Sequence, residues 1–297
     1  MFKKSKYFPF ILILLLFNDA IYSQDEQEYL GVIKLNDSSF ISYRLNLIED
    51  TNLISGYSIT DIGGDHETKS NITGEYNSKT NMLSFKEVGI IYTKSVVSDY
   101  DFCYIHFEGK FKNIDSKKNI EGKFIGLYND GSNCINGEIK LRNIEKIEKK
   151  AKKIDKLIQK SKRVDNTTKS KVSVIQTLDS LKMNILKPNQ NLTMFSASSK
   201  LKLNIYDAGK VDGDKINIYV NGSIFLRNYS VDKNIKQLTI PLSSKSTLIE
   251  VLAINTGTIS PNTAKIEIVD QKNNINTLTR LKQGEKTSIT IVKINSF

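Results

Sequence analysis

Tryptophan is missing from this chain, and histidine, cysteine and proline are scarce, at two, two and four residues in 297. The two histidines, His66 and His106, lack the paired spacing that a zinc centre needs. No Gly-x-Ser-x-Gly elbow and no glycine-rich phosphate loop occurs, so the commonest sequence signatures of acyl hydrolases and nucleotide binders are absent. Cys103 and His106 fall on opposite faces of one strand pattern, which argues against a thiol nucleophile with its base. After residue 23 no stretch is long and apolar enough to cross a bilayer as a helix.

What is present is apolar bulk and polar punctuation. Hydrophobic residues make up 39% of the chain, with 13 Tyr and 13 Phe, enough for real cores. Abundant Asn, Ile, Ser, Thr and Lys favour strands joined by polar turns. Lys3, Lys4 and Lys6 precede an apolar run from Phe8 to Phe17, the pattern of a secretory signal peptide over residues 1–23 with cleavage after Ser23. The expected location is therefore periplasmic or secreted. In an oxidising compartment the even pair Cys103 and Cys134 predicts a disulfide, worth roughly 3–4 kcal/mol on the chain-entropy account. Strand parity runs against it. Cys103 shares a face with Ile105 and Phe107, and Cys134 shares one with Asn136 and Glu138.

Residues 24–142 read as all-β. Turn signals such as Asn36-Asp37-Ser38, Gly63-Gly64 and Asn129-Asp130-Gly131 separate about eight short strands. Glycine closely followed by an aromatic or aliphatic residue recurs at Gly74, Gly109, Gly122 and Gly137, as expected for bulges or barrel corners. A sequential meander of this kind predicts an up-and-down barrel of the lipocalin or avidin type, with a flattened sandwich as the competing arrangement. Residues 143–194 read as a basic, partly helical linker. Ile144, Ile147, Ala151, Ile154 and Ile158 keep helical spacing, and Val174, Leu178, Leu181 and Ile185 suggest a second helical phase. Between 144 and 171, eleven Lys or Arg stand against four Asp or Glu, which accounts for most of the chain's +11. Such a segment is a solvated spacer or a contact for an anionic surface. It lacks the interleaved aromatics of a single-strand nucleic-acid binder, so nucleic acid is not an expected partner. Residues 195–297 return to alternating strands and predict a β-sandwich.

Two places carry candidate chemistry. Asp207, Asp212 and Asp214, with Gly209 and Gly213, form an oxygen-rich, glycine-punctuated loop between two strands. A hard cation such as calcium takes six to eight oxygen ligands, and these residues are candidate metal ligands. The register is not that of an EF-hand, and a plain hairpin turn at Asp212-Gly213 explains the same residues. Glu87 shares strand parity with Leu83 and Phe85, so it is a candidate ligand anchor in the barrel lumen or a strand-edge carboxylate in solvent.

The turn Asp207–Asp214, the strand Ile216–Gly222, then Ala253–Gly257 and Pro261–Ala264 together resemble the C-terminal region of exported Bacteroidetes proteins of uncharacterised function. That resemblance covers about ninety residues and implies a secreted β-sandwich without a known active site. The expected protein is an exported, non-catalytic binding or adhesion module with calcium as its candidate structural cation. Its ligand would be extracellular or periplasmic, such as a glycan or another cell-surface component. A small-ligand carrier using the barrel lumen and a hydrolase with an unrecognised carboxylate pair are the alternatives.

Overall fold

A computed structural model describes residues 26–35, 39–96, 101–114, 117–161, 163–165, 183–207, 209 and 211–294. The signal segment and most of the second helical phase lie outside the described residues. The strands are β1 (Glu26–Leu35), β2 (Phe40–Asp50), β3 (Leu53–Thr60), β4 (Thr68–Asn77), β5 (Met82–Thr93), β6 (Tyr104–Ile114), β7 (Lys117–Leu127) and β8 (Asn133–Asn143). Each pairs antiparallel with the next, and β8 returns to β1, so the meander closes into a barrel. Alternation sets the inside: Tyr43, Leu45 and Leu47 of β2 and Leu83 and Phe85 of β5 face the interior.

Side chains fill that interior. Phe85 and Phe107 stack with centroids 4.9 Å apart among Tyr29, Ile120, Phe124, Ile139 and Leu141. The recurring glycines are not the bulges their pattern suggests. Gly109 faces Gly122 in an unbroken β6–β7 register. A Cβ on Gly122 would lie 2.8 Å from the Phe107 ring and 2.5 Å from the Gly109 Cα, so here glycine clears space for an aromatic ring. Bulges do occur on β5, where the register with β4 slips on either side of the Ser70-Asn71 pair. They bend the strand and break its alternation, so Ile91 and Tyr92 are both buried, in the second core.

The helix α1 (Ile144–Lys160) follows β8 directly. The Asn143 side chain accepts the Glu145 N–H at 3.1 Å and caps its first turn. Ile144 and Ala151 are buried, and the helix packs beside β1 and β8. The lysine-rich face stays in solvent, with Leu157 also exposed.

The remaining strands are β9 (Asn184–Leu186), β10 (Asn191–Ser196), β11 (Lys200–Tyr206), β12 (Lys215–Val220), β13 (Ser223–Ser230), β14 (Lys236–Pro241), β15 (Ser246–Ala253), β16 (Asn262–Val269), β17 (Asn274–Leu281) and β18 (Lys286–Lys293). They form two sheets, ordered β13-β12-β15-β18-β10 and β14-β11-β16-β17-β9. The inner faces share one core, with Leu203, Ile205, Ile266 and Ile268 from one sheet and Ile216, Val251, Ile289 and Ile291 from the other. The sandwich starts earlier than residue 195. Ile185, which helical spacing assigns to a second helix, sits in β9, a strand too short to show a period of its own. The two halves are also joined through a sheet: Tyr92 and Thr93, at the end of β5, pair with Met194 and Thr193 of β10.

Candidate functional site

Where the outer face of β2–β4 meets the β9–β17 edge of the sandwich lies a cavity of about 310 Å³. Its floor is built on a buried ion pair. The Glu67 carboxylate accepts the Tyr92 hydroxyl at 2.8 Å and the Gly63 N–H at 2.6 Å. The Lys94 ammonium lies 3.6 Å from Glu67 and donates to the Ile185 carbonyl at 3.0 Å. Both charged side chains are almost wholly removed from solvent. Burial lowers the Lys94 pKa and Glu67 pulls it back up; burial and the Glu67 charge raise that of Tyr92. Asp65-His66-Glu67 follows directly on the Gly63-Gly64 turn signal, where polar residues are expected in solvent. The first two residues are exposed, but Glu67 is buried. A second clasp, from Lys187 to Asp65 at 3.0 Å, crosses the same junction at the surface.

The wall adds a different set of groups. Arg44 is held by Glu28 at 3.0 Å. Lys69 points its ammonium over the Tyr57 ring, 3.7 Å from the centroid, and burial together with the Arg44 charge lowers its pKa. Asn184 is 7% exposed, and both polar atoms of its side chain are buried without a hydrogen-bond partner. Its amide lies toward the Tyr92 hydroxyl without bonding geometry. Asn274 and Asn276 complete the rim. No sequence signal marks these residues, because they come from the two halves of the chain and meet only where those halves pack.

Glu87 points into the barrel, as its parity with Leu83 and Phe85 predicts. One oxygen accepts the Ser58 hydroxyl at 2.5 Å and the Tyr43 hydroxyl at 3.4 Å. The other accepts the Ile105 N–H at 2.9 Å. The β5–β6 ladder ends at Lys86 and His106, so this carboxylate takes over as acceptor where backbone pairing stops. Burial raises its pKa, and the three donors oppose that rise. Glu87 is fully engaged by the barrel itself.

The acidic loop divides. Asp207 turns back on its own loop, accepting the Gly209 N–H at 2.6 Å. Asp212 reaches across to the β15–β16 connection and Asp214 to the start of β16, accepting the N–H groups of Ile259 and Thr263 at 2.8 and 2.7 Å. Burial raises the Asp214 pKa, the Thr263 N–H opposes this, and the Asp212 and Asp207 charges push it further up. Among the described residues no three His, Cys, Asp or Glu side chains gather as a metal centre.

The Cys103–Cys134 disulfide is formed, with Cα atoms 6.0 Å apart. Cys103 precedes β6, and the β7–β8 register slips beside Gly126, the residue the two sulfurs crowd. Strand parity therefore does not govern either cysteine. No helix among the described residues is long and apolar enough to cross a membrane. Comparison of the chain with protein families, curated proteins and solved structures finds no match.

Proposed function

We propose that this is an exported, non-catalytic binding or adhesion protein. Its ligand seat is the barrel–sandwich junction, and its ligand is a small polyhydroxylated carboxylate such as an acidic sugar of a cell-surface glycan. The observation that carries this reading is Asn184, a buried amide with neither donor nor acceptor satisfied, lining a polar cavity. An unpaired buried polar group costs about 1–3 kcal/mol, which a hydroxylated ligand would offset by bonding it. Lys69 gives the preference for an anion. Its ammonium lies over the Tyr57 ring and, among the described residues, is in no ion pair, the Glu26 charge acting on it only from farther away. The volume falls at the lower end of the roughly 300–1,000 Å³ typical of small-molecule sites. The packed Tyr, Phe and Ile side chains of the barrel interior favour the junction over the lumen as the seat.

Titration of the isotope-labelled protein with galacturonate and with galactose tests the proposal. Galacturonate should shift amide resonances around Lys69, Tyr57 and Asn184, galactose should bind more weakly, and Lys69→Met should erase the difference. Shifts confined to other surfaces, or no response to any acidic saccharide, would overturn it.

A further inference from the structure

The β11–β12 loop is tied to the β15–β16 connection and the start of β16 by a set of side chain-to-backbone bonds that leaves a consistent remainder. Asn255 accepts the Lys215 N–H at 2.6 Å and donates to the Gly213 carbonyl at 2.9 Å, so both ends of its amide are used. Asn262 donates to the carbonyls of Lys215 and Asn255 at 3.1 and 2.8 Å, which spends its nitrogen only. Asp212 and Asp214 each spend one carboxylate oxygen on a backbone N–H, of Ile259 in the β15–β16 connection and of Thr263 at the start of β16. Three atoms are left over: Asp212 Oδ1, Asp214 Oδ1 and Asn262 Oδ1, all buried and without a partner.

Every one of the three is an acceptor. Chance mispairing would leave donors as well as acceptors, whereas here the unmet demand is for donors or a cation alone. Asn262 is 0% and Asp214 1% exposed, so bulk water does not meet it. No described lysine or arginine pairs with either carboxylate. Nor can the side chains easily swing away, since the other polar atom of each is anchored. The three lie in one neighbourhood. The Asp214 carboxylate binds the N–H of Thr263, the residue after Asn262, and Asp212 is close enough for its charge to act on Asp214. Gly257, at φ +56°, keeps the approach to Asp212 open, because a Cβ there would sit 2.7 Å from Asp212 Oδ1.

We propose that Asp212, Asp214 and Asn262 bind a calcium ion that locks the β11–β12 loop to the β15–β16 connection. Oxygen-only donors of mixed charge suit a hard cation, and calcium tolerates irregular shells completed by carbonyls and water better than magnesium does. Two carboxylates and one amide make a site of low charge, of the strength of extracellular modules, with a dissociation constant of roughly 10⁻⁴–10⁻³ M. Asp207 is outside the set because its oxygen is committed to Gly209.

Calorimetric titration and thermal unfolding of the full chain in EDTA, calcium and magnesium test this site independently of the junction cavity. Millimolar calcium should raise the wild-type melting temperature, EDTA should reverse the rise, and magnesium should do less. Asp214→Asn should weaken calcium binding by about tenfold or more. In EDTA the same variant should melt no lower than wild type, because the amide keeps an acceptor for Thr263 and removes one of two neighbouring negative charges. Asp212→Asn, at a more exposed position, gives the same readout if the first variant fails to fold. Absence of calcium uptake, or equal uptake by wild type and both variants, would overturn the proposal.

Discussion

The barrel lumen and the barrel–sandwich junction each bury a glutamate, and they use it differently. In the lumen, Glu87 is surrounded by donors from three strands, and the space around it is packed with Phe and Ile side chains. At the junction, Glu67 is equally well served by Tyr92, Gly63 and Lys94, but the neighbouring Asn184 amide is left unpaired beside open volume. A buried polar group that is fully bonded stabilises a fold; one that is not bonded marks where something else can bind. The barrel is the kind that holds ligands inside, yet here the unmet hydrogen-bonding lies outside it.

The sharpest way to break this comparison is to remove Lys94. Its ammonium is the only described cation paired with Glu67, and it also reaches across to β9. Lys94→Met would leave the Glu67 charge buried with two neutral donors and the Ile185 carbonyl without one. Removing one member of a buried pair costs about 3–5 kcal/mol, and urea unfolding should show a loss of that order. The double variant Lys94→Met with Glu67→Gln should recover most of it. A loss under about 1 kcal/mol would mean that the pair does not hold the junction.

A smaller effect is expected in the lumen, with a defined pH dependence. The folded pKa of Glu87 is raised, so folding favours its protonated form. Its stabilising contribution is complete below the ordinary glutamate pKa of about 4.3 and is lost as pH rises through the raised folded value. Glu87→Gln does not titrate, and its amide can still accept from Ile105 while donating to the hydroxyls. Relative to wild type the variant should gain stability as pH rises through that window and then hold level. Unfolding free energies measured at pH 4, 5.5 and 7.5 give the comparison. A variant that instead loses ground as pH rises would show that the three donors outweigh burial.

How much of this was legible in the sequence follows the range of the interactions. Alternation along β2 and β5 places Tyr43, Leu83, Phe85 and Glu87 inside the barrel, and turn residues separate the strands. Both are local signals, and both are met. The disulfide is legible from cysteine count and the compartment the N-terminal segment leads one to expect, while strand parity misleads, because a slipped register beside Gly126 disturbs alternation at the bridge. The acidic loop is legible as oxygen-rich, but Asn262, which lies far along the chain, becomes visible as its companion only when β16 is in place. The junction is not legible at all. Arg44, Lys69, Lys94 and Asn184 sit in strand patterns that give no sign of the other half of the chain, and a polar residue on an outer barrel face reads as solvated until a second domain covers it.

The smallest expected change is also the one that separates binding from folding most cleanly. Neither end of the Asn184 amide is hydrogen-bonded in the free protein, and its one visible influence is on the neighbouring Tyr92 hydroxyl. Asn184→Leu keeps the side-chain size and removes the unpaired donor and acceptor. It should therefore raise the stability of the free protein by about 1 kcal/mol. The same substitution should abolish the ligand response at the junction, while Asn184→Asp, which keeps an acceptor and adds charge, should weaken acidic ligands more than neutral ones. Paired urea unfolding and saccharide titration on one preparation would read both effects. If Asn184→Leu instead destabilises the free protein, the amide serves the fold, and the junction then resembles the lumen rather than differing from it.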